Sequence, residues 1–248
     1  MASRTWDDVI TARDRAVYDA AGYGQKGGFG KRPALIVVDV TYDFCGDESE
    51  PILDSIQKFR NSCGEAAWEA LPKLRQLIDA ARARGVPVIY THASPRPDLV
   101  RVGGWARKNA RAMDPTEISA RIGNDIPDII APLPGEIVIQ KGKPSAFFAT
   151  PLPGYLVELG VDSLIVTGTT TSGCVRATVI DGFSYNYPLA VVEECTFDRG
   201  EVTHKINLFD MHSKYADVVP LSETLEFLNS LPEPVAQRAE PVKVAVQA

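Results

Sequence analysis

Short apolar runs, each about as long as one buried strand, alternate with segments of helical periodicity along most of this chain. Continuous apolar runs are typical of strands in a parallel sheet that is covered on both faces, and crossover helices supply that cover. The alternation therefore predicts an α/β fold with three layers, αβα, around a mostly parallel, Rossmann-like open sheet. The predicted strands cover residues 34–40, 86–91, 137–141, 163–167, 189–192 and 217–219.

The predicted helices begin at residues that commonly cap helices. Thr5, followed by acidic residues, would start a helix that ends near residue 21. Ser62 and Glu65 have the spacing of a capping box and would start a helix over 62–84. Ser222 would cap the last helix, over 222–231. Further helices are predicted over 152–159, 174–185 and 201–211, with a short helical run near 104–113 in an otherwise irregular region, 92–132.

The 248 residues suit one large α/β domain with flanking segments. Residues 1–32 are read as an N-terminal helix with a Gly-rich lead-in, and residues 33–231 as the domain itself. Residues 232–248 are rich in Pro, Val, Ala and charge without periodicity, which predicts a tail that is linker-like or packs on another subunit.

Cys174 follows the apolar run 164–166 and a turn of small residues, and a helical pattern begins at the same point. A thiol in the first turn of a helix meets unsatisfied backbone N–H groups and the positive end of the helix dipole. Both favour the thiolate, which is the nucleophilic form of cysteine. The alternative is a buried cysteine with a packing role only.

Two more strands end in residues that suit chemistry. Asp39 closes the apolar run 34–38, and Lys141 closes the run 137–140. Open parallel sheets bind ligands outside the carboxyl ends of their strands, so Asp39, Lys141 and Cys174 would converge on one crevice. Taken singly, the aspartate could be a turn cap and the lysine a solvated side chain.

These segments resemble the cysteine hydrolases of the isochorismatase-like superfamily. The resemblance covers roughly residues 30–230 and is carried by three motifs: Asp-x-x-x-Asp-Phe from Asp39, Lys-x-x-x-Ser-Ala-Phe from Lys141, and Gly-x-Thr-x-x-x-Cys-Val ending at Val175. The run Gly-Thr-Thr-Thr-Ser-Gly-Cys-Val-Arg-Ala-Thr and the segment from Asp198 to Tyr215 are most similar to the N-carbamoylsarcosine amidase and maleamate amidase branch. The domain over 33–231 would then be an isochorismatase-like hydrolase domain.

The resemblance implies a catalytic triad of Asp39, Lys141 and Cys174. It also implies a cis peptide bond before Thr170 and an oxyanion hole made by the backbone N–H groups of Thr170 and Cys174. The implied enzyme is a hydrolase of linear amides, a cysteine amidohydrolase that cleaves the C–N bond of a small carboxamide or ureido compound through a thioester. Arg199 is implied to bind a substrate carboxylate, with a surface salt bridge as the alternative.

No metal or other cofactor is expected. Nicotinamidase relatives bind a metal through an Asp-x-His…His set beyond the second strand, whereas this chain has the single His92 there. For His204, a helix or subunit contact is favoured over catalysis. The four cysteines form no CxxC pair, which excludes the usual zinc and redox motifs and fits a reducing cytoplasm.

The expected partners are a small-molecule substrate and further copies of the chain, as a dimer or tetramer. A net charge of −6 gives no reason to expect nucleic acid, and no apolar run is long enough for a signal peptide or a membrane span. Two other functions stay open: an isochorismatase-type vinyl-ether hydrolase and a non-catalytic binding protein on the same fold. Carbamoylsarcosine-like, maleamate-like and biuret-like substrates all fit the sequence.

Overall fold

The computed structural model describes residues 4–93 and 116–233, together with residues 104 and 108. Within these ranges one sheet has the strand order β3-β2-β1-β4-β5-β6, and every neighbouring pair is parallel. The predicted α/β architecture is confirmed. The strands are β1 (Pro33–Val38), β2 (Val88–Ala93), β3 (Ile137–Lys141), β4 (Ser163–Thr169), β5 (Leu189–Phe197) and β6 (Asp217–Val219).

Helices lie between the strands and cover the sheet. In chain order they are α1 (Ala12–Ala20), α2 (Tyr42–Cys45), α3 (Ile52–Lys58), α4 (Glu65–Ala83), α5 (Glu117–Ile122), α6 (Leu152–Glu158), α7 (Arg176–Ser184), α8 (Glu201–Lys214) and α9 (Leu221–Ser230). A 3₁₀ turn covers Asp128–Ile130, and a π-helical turn covers Thr171–Val175 directly before α7. Among the described helices, none is both long and apolar enough to cross a lipid bilayer.

The core lies on both faces of the sheet. Successive residues of β1 point to opposite faces, so Leu35 and Val37 pack with α4 and α9, whereas Ile36 and Val38 pack with α6, α7 and α8. All six residues of β1 are buried, which explains why this strand reads as a continuous apolar run rather than an alternating one.

The prediction that Thr5 caps the first helix is wrong. Thr11 is the N-cap, and its side chain accepts a hydrogen bond from the Asp14 N–H at 3.1 Å. The Thr5 hydroxyl is instead bonded to the Glu193 carboxylate, and the following Trp6 is buried in the core. Burial of a large aromatic side chain therefore decides the path of the first residues, and α1 begins after it.

Two further capping predictions are also wrong. Ser62 does not cap α4, because its hydroxyl bonds Ser55 Oγ at 2.8 Å and accepts from the Gly64 N–H. Gly64 is the N-cap, with a φ of 57° and no room for a side chain, since a Cβ would lie 2.7 Å from Ile52 Cα. Ser222 lies inside α9, whose N-cap is Pro220.

Several predicted boundaries shift. The segment between the predicted strand 34–40 and the predicted helix 62–84 contains α2 and α3, whose lengths of four and seven residues made them hard to detect. β2 begins at residue 88, and β4 and β5 extend to residues 169 and 197. The irregular region 92–132 contains α5 and the 3₁₀ turn. The predicted helical run near 104–113 and the tail from residue 234 lie outside the described residues, apart from residues 104 and 108.

Candidate active site

Asp39 is the first residue after β1 and lies at the carboxyl end of that strand. Its backbone has a φ of 51°, a left-handed conformation that aspartate tolerates better than most residues. The carboxylate oxygen Oδ1 accepts from Thr91 Oγ1 at 2.8 Å, and the Asp39 N–H donates to the Thr91 carbonyl at 3.0 Å. Thr91 on the neighbouring strand therefore fixes both the backbone and the side chain of Asp39, which is 3% exposed.

Lys141, the last residue of β3, reaches across β2 to the same carboxylate. Its Nζ lies 2.6 Å from Asp39 Oδ2 and donates to the Lys143 carbonyl at 3.0 Å. Because Thr91 holds Oδ1 and Lys141 holds Oδ2, both oxygens of the buried carboxylate have a partner. Such pairing offsets part of the cost of burying two charged groups.

Cys174 lies in the π-helical turn that follows β4. The Thr169–Thr170 peptide bond is cis, and the Thr170 carbonyl accepts from the N–H groups of Gly173 and Val175. The α-helix itself begins two residues later, at Arg176. The sequence placed Cys174 in the first turn of an α-helix; the structure places it in the π turn before the α-helix. Single π turns of this kind are frequent at functional sites.

Gly168 allows β4 to approach β1 closely beside Asp39. It pairs with Val38 and has a φ of 98°, and a Cβ at this position would lie 2.2 Å from the Val38 carbonyl oxygen. The pairing of β4 with β5 shifts register at the same point. The chain order reverses between β1 and β4, and such switch points are where open α/β sheets bind ligands.

The electrostatics of the three groups are coupled. Burial, followed by the Asp39 carboxylate, raises the pKa of Cys174 to about 12, against a smaller opposing effect of Lys141. Burial alone would lower the pKa of Lys141, but this effect is outweighed, first by the Asp39 carboxylate and then by Cys174 when its sulfur is ionised, so that this pKa is raised. The expectation that Cys174 tends towards thiolate is therefore wrong for the ligand-free protein. The group at rest is a thiol beside a carboxylate that can accept its proton.

The structure brings Asp39, Lys141 and Cys174 together, and each is at most 9% exposed. Thr170, the other residue of the expected oxyanion hole, directly precedes the π turn and is 6% exposed. Arg199 follows β5, with its guanidinium 5.5 Å from the centre of the Phe44 ring and 2.5 Å from the Asn61 carbonyl oxygen.

Sequence reasoning missed the residues that hold this arrangement. Thr91 carries no motif of its own, although its place at the end of the strand next to β1 is a usable signal. The Lys143 carbonyl belongs to the backbone, so its role does not depend on the type of residue and cannot be recognised from the sequence. Asp198 was used only for the resemblance, and His204 was expected to make a helix or subunit contact, yet both bond side chains of the Thr171–Val175 turn.

The histidines give no ligand set for a metal within the described ranges. Burial lowers the pKa of His92, whose Nδ1 is buried without a hydrogen-bond partner in that part of the chain. Among the residues that the structure describes, one group of acidic side chains lies close enough together for a cation: Asp47, Glu48 and Glu50. The ammonium of Lys58 already lies among them, 2.7 Å from Glu48 and 3.1 Å from Glu50.

Known proteins similar to this chain identify its family. The family model described as the isochorismatase domain matches residues 33–223. The chain is 34% identical over 228 residues to a maleamate amidohydrolase of Pseudomonas putida, covering 90% of this chain and 98% of the relative. It is 31% identical over 223 residues to an N-carbamoylsarcosine amidase of an Arthrobacter species, covering 88% of this chain and 79% of the relative.

A solved structure shares the fold as well. The N-carbamoylsarcosine amidase of Thermoplasma acidophilum superposes with a TM-score of 0.59 at 26% identity, covering 77% of this chain and 96% of that one. The chain therefore belongs to the isochorismatase family. Within it, the chain is a hydrolase of amide carbon–nitrogen bonds, similar to the amidohydrolase branch, and its substrate is a small molecule.

Proposed function

We propose that this chain cleaves the C–N bond of a small carboxamide or ureido compound through a thioester on Cys174, releasing ammonia or an amine. The observation that carries the proposal is the buried Asp39–Lys141 pair beside the Cys174 thiol. A carboxylate within reach of a thiol is a general base for a nucleophile, and an ammonium beside both stabilises the charge that develops.

The first half of the reaction forms the thioester. Asp39 takes the proton of the Cys174 thiol, and the sulfur attacks the carbonyl carbon of the substrate. The backbone N–H groups of Thr170 and Cys174 donate to the oxygen of the tetrahedral intermediate. Protonated Asp39 then passes its proton to the leaving nitrogen as the C–N bond breaks, which releases ammonia or an amine and leaves the acyl group on sulfur.

The second half returns the enzyme to its resting state. Asp39, again a carboxylate, takes a proton from a water molecule that attacks the thioester carbonyl. The carbon–sulfur bond breaks, the product acid leaves, and the proton returns to the thiol. Lys141 remains an ammonium throughout, because its raised pKa keeps it charged at neutral pH.

For the substrate, we propose a small amide that also carries a carboxylate, as the names of both curated relatives suggest. Arg199 would bind that carboxylate. Its guanidinium is anchored at one nitrogen by the Asn61 carbonyl, and its Nε is buried without a partner in the described part of the chain. A guanidinium with free donors matches a carboxylate at two points.

We also propose that the chain assembles as a homo-oligomer. Large apolar side chains are exposed on and beside α6 and α7, two helices that pack on the same face of the sheet, and exposed apolar surface favours a subunit contact. They are Phe148, Tyr155, Val157, Leu159, Phe183 and Tyr185. The cytoplasmic location, the absence of a metal requirement and the division of the chain into lead-in, domain and tail stay predictions of the sequence.

A screen of ammonia release tests the proposed function. Purified enzyme is assayed with maleamate, N-carbamoylsarcosine, biuret and neutral amides of similar size, each with and without EDTA. We expect turnover of at least one carboxylate-bearing amide and no effect of the chelator. Absence of turnover on the whole panel, or activity that only a divalent metal restores, would contradict the proposal.

A further inference from the structure

Cys174 lies in the turn Thr171–Val175. The residues of this turn that precede Cys174 form hydrogen bonds with residues elsewhere in the chain. The Ser172 N–H and the Ser172 hydroxyl both donate to the same oxygen of Asp198, Oδ2, at 2.8 and 2.7 Å. The other oxygen of Asp198 accepts from the Arg199 N–H at 2.8 Å. Asp198 is 9% exposed, so its carboxylate is held in place by three short hydrogen bonds in a nearly dry setting.

A second contact comes from helix α8. His204 Nδ1 lies 2.7 Å from Thr171 Oγ1, and Thr171 is fully buried. Burial lowers the pKa of His204, so the ring is neutral near pH 7 and can share one hydrogen with the hydroxyl. Asp198 and His204 thus bond the two side chains at the start of the turn.

The chain that leaves the turn is bonded to the same helix. Arg176, the first residue of α7, donates to Asn207 Oδ1 at 2.5 Å and lies 3.6 Å from Asp210 Oδ2. The Asn207 amide in turn donates to the Thr203 carbonyl at 2.8 Å. The turn is therefore connected to the segment from Asp198 to Asp210 on both sides of Cys174.

We propose that Asp198 and His204 are positioning residues, which act through Ser172 and Thr171 to hold the Cys174 thiol and the nearby backbone N–H donors in place for attack. This inference rests on the proposed function. A π turn is uncommon and is frequently found at functional sites. Donors of an oxyanion hole stabilise a transition state only if they are already oriented, and a displacement of about 1 Å costs roughly a hundredfold in rate.

Paired substitutions distinguish positioning from general support of the fold. His204→Leu removes the hydrogen-bonding group, whereas His204→Asn returns one near the position of Nδ1. We expect kcat to fall about ten- to a hundredfold in the first variant and to recover to within about fivefold in the second, with KM changed by less than about threefold in both. Asp198→Ala should resemble His204→Leu. Lys205→Ala is the control on the same helix, since Lys205 pairs only with Asp8 and Glu201 among the described side chains.

The partner side chains give an independent check should a substitution at Asp198 or in α8 impair folding. Thr171→Val and Ser172→Ala each remove one hydroxyl at the other end of the same contacts. In the double variant Thr171→Val/His204→Leu, the loss of kcat should not exceed that of the worse single variant. Each substitution alone already removes the hydrogen bond between the two side chains. Multiplied losses, or a kcat within about twofold of wild type in every variant, would overturn the proposal.

A second readout does not depend on turnover. The rate at which iodoacetamide alkylates Cys174 at pH 8, followed by mass spectrometry, should rise about fivefold or more in Asp198→Ala and His204→Leu at an unchanged melting temperature, because the turn opens locally. If Cys174→Ser loses turnover but alkylation is unchanged in Asp198→Ala and His204→Leu, the proposed function is supported and the positioning role is refuted. Faster alkylation without any amide turnover in the wild type would refute the proposed function and support the role of the two residues in holding the turn.

Discussion

Lys141 Nζ lies 2.6 Å from Asp39 Oδ2, and both side chains are 4% exposed. An ion pair in this setting has given up nearly all its hydration, so each member depends on the other. The same pair adjoins the Cys174 thiol, whose pKa responds to both charges in opposite directions. Stability and thiol reactivity are therefore two ways of observing one buried cluster.

Breaking the pair from either side should destabilise the fold. Lys141→Met leaves the Asp39 carboxylate buried without its counter-ion, and we expect a loss of about 3–5 kcal/mol in the free energy of unfolding. Asp39→Asn/Lys141→Met should be more stable than Lys141→Met alone, because no unpaired charge remains. Urea unfolding of the wild type, the two single variants and the double variant measures this coupling. Strictly additive losses would show that the two charges do not depend on each other.

The rate of Cys174 alkylation should distinguish the effect of the base, Asp39, from that of the cation, Lys141. Because burial and the Asp39 carboxylate raise the pKa of Cys174 to about 12, the thiolate fraction of the ligand-free enzyme is small near neutrality and increases up to pH values near that pKa. The iodoacetamide rate should therefore rise about tenfold per pH unit from pH 7 to 9, without the plateau of a thiol of ordinary pKa.

The sign of the change in Asp39→Asn makes this prediction specific. Removing the carboxylate lowers the pKa of Cys174, so alkylation at pH 8 should become faster, while amide turnover is lost with its general base. Lys141→Met removes the charge that favours the thiolate and should slow alkylation. Parallel loss of alkylation and turnover in Asp39→Asn would contradict the assigned roles.

Gly168 should tolerate no side chain. A Cβ there would lie 2.2 Å from the Val38 carbonyl oxygen, and the φ of 98° is unfavourable for any L-residue. We expect Gly168→Ala to unfold at a clearly lower denaturant concentration, with a loss of more than about 3 kcal/mol, and to lose activity. Gly154→Ala is the matched control in helix α6, where no atom lies within 4 Å of the added Cβ, and it should be neutral or slightly stabilising. Similar behaviour of the two variants would show that the close approach of β4 to β1 is not required.

Much of the fold could be predicted because the central strands β1 and β4 are buried on both faces. β1 and the first part of β4 are uninterrupted apolar runs, and each ends in the residue or turn that forms the site. The caps could not be predicted, since Thr5 and Ser62 have suitable side chains that are used elsewhere, by Glu193 and Ser55. Capping signals lie within about four consecutive residues, whereas the contacts that override them join residues seven positions apart for Ser62 and 188 apart for Thr5.

The residues of the candidate site could be proposed from the sequence, but the protonation state of Cys174 in the ligand-free protein could not. Asp39, Lys141 and Cys174 are marked by their places at strand ends and by the family resemblance. The pKa of Cys174 is not, because it depends on how deeply the thiol is buried and on how close Asp39 lies. A helix-start argument uses the helix dipole and the unsatisfied N–H groups, and here burial and a neighbouring carboxylate outweigh both.

Arg199 should discriminate between charged and neutral substrates. Arg199→Lys should raise KM for a carboxylate-bearing amide, with a loss of roughly ten- to a hundredfold in kcat/KM, because an ammonium cannot form a two-point contact. The same change should alter kcat/KM for a neutral amide by less than about threefold. Paired kinetics on the two substrates measure the difference. An equal loss on both would mean that Arg199 only supports the chain through Asn61 and Phe44.

The most direct test of the account is the rate of ammonia release by Cys174→Ser on an amide that the wild type hydrolyses. A neutral hydroxyl is a far weaker nucleophile than a thiolate, so turnover should fall by about a thousandfold or more at an unchanged melting temperature. Cys195→Ala is the control, because Cys195 is buried in the core on the other face of the sheet, and it should keep most of the activity. A Cys174→Ser enzyme that retained more than about a tenth of the wild-type rate would contradict nucleophilic catalysis by Cys174.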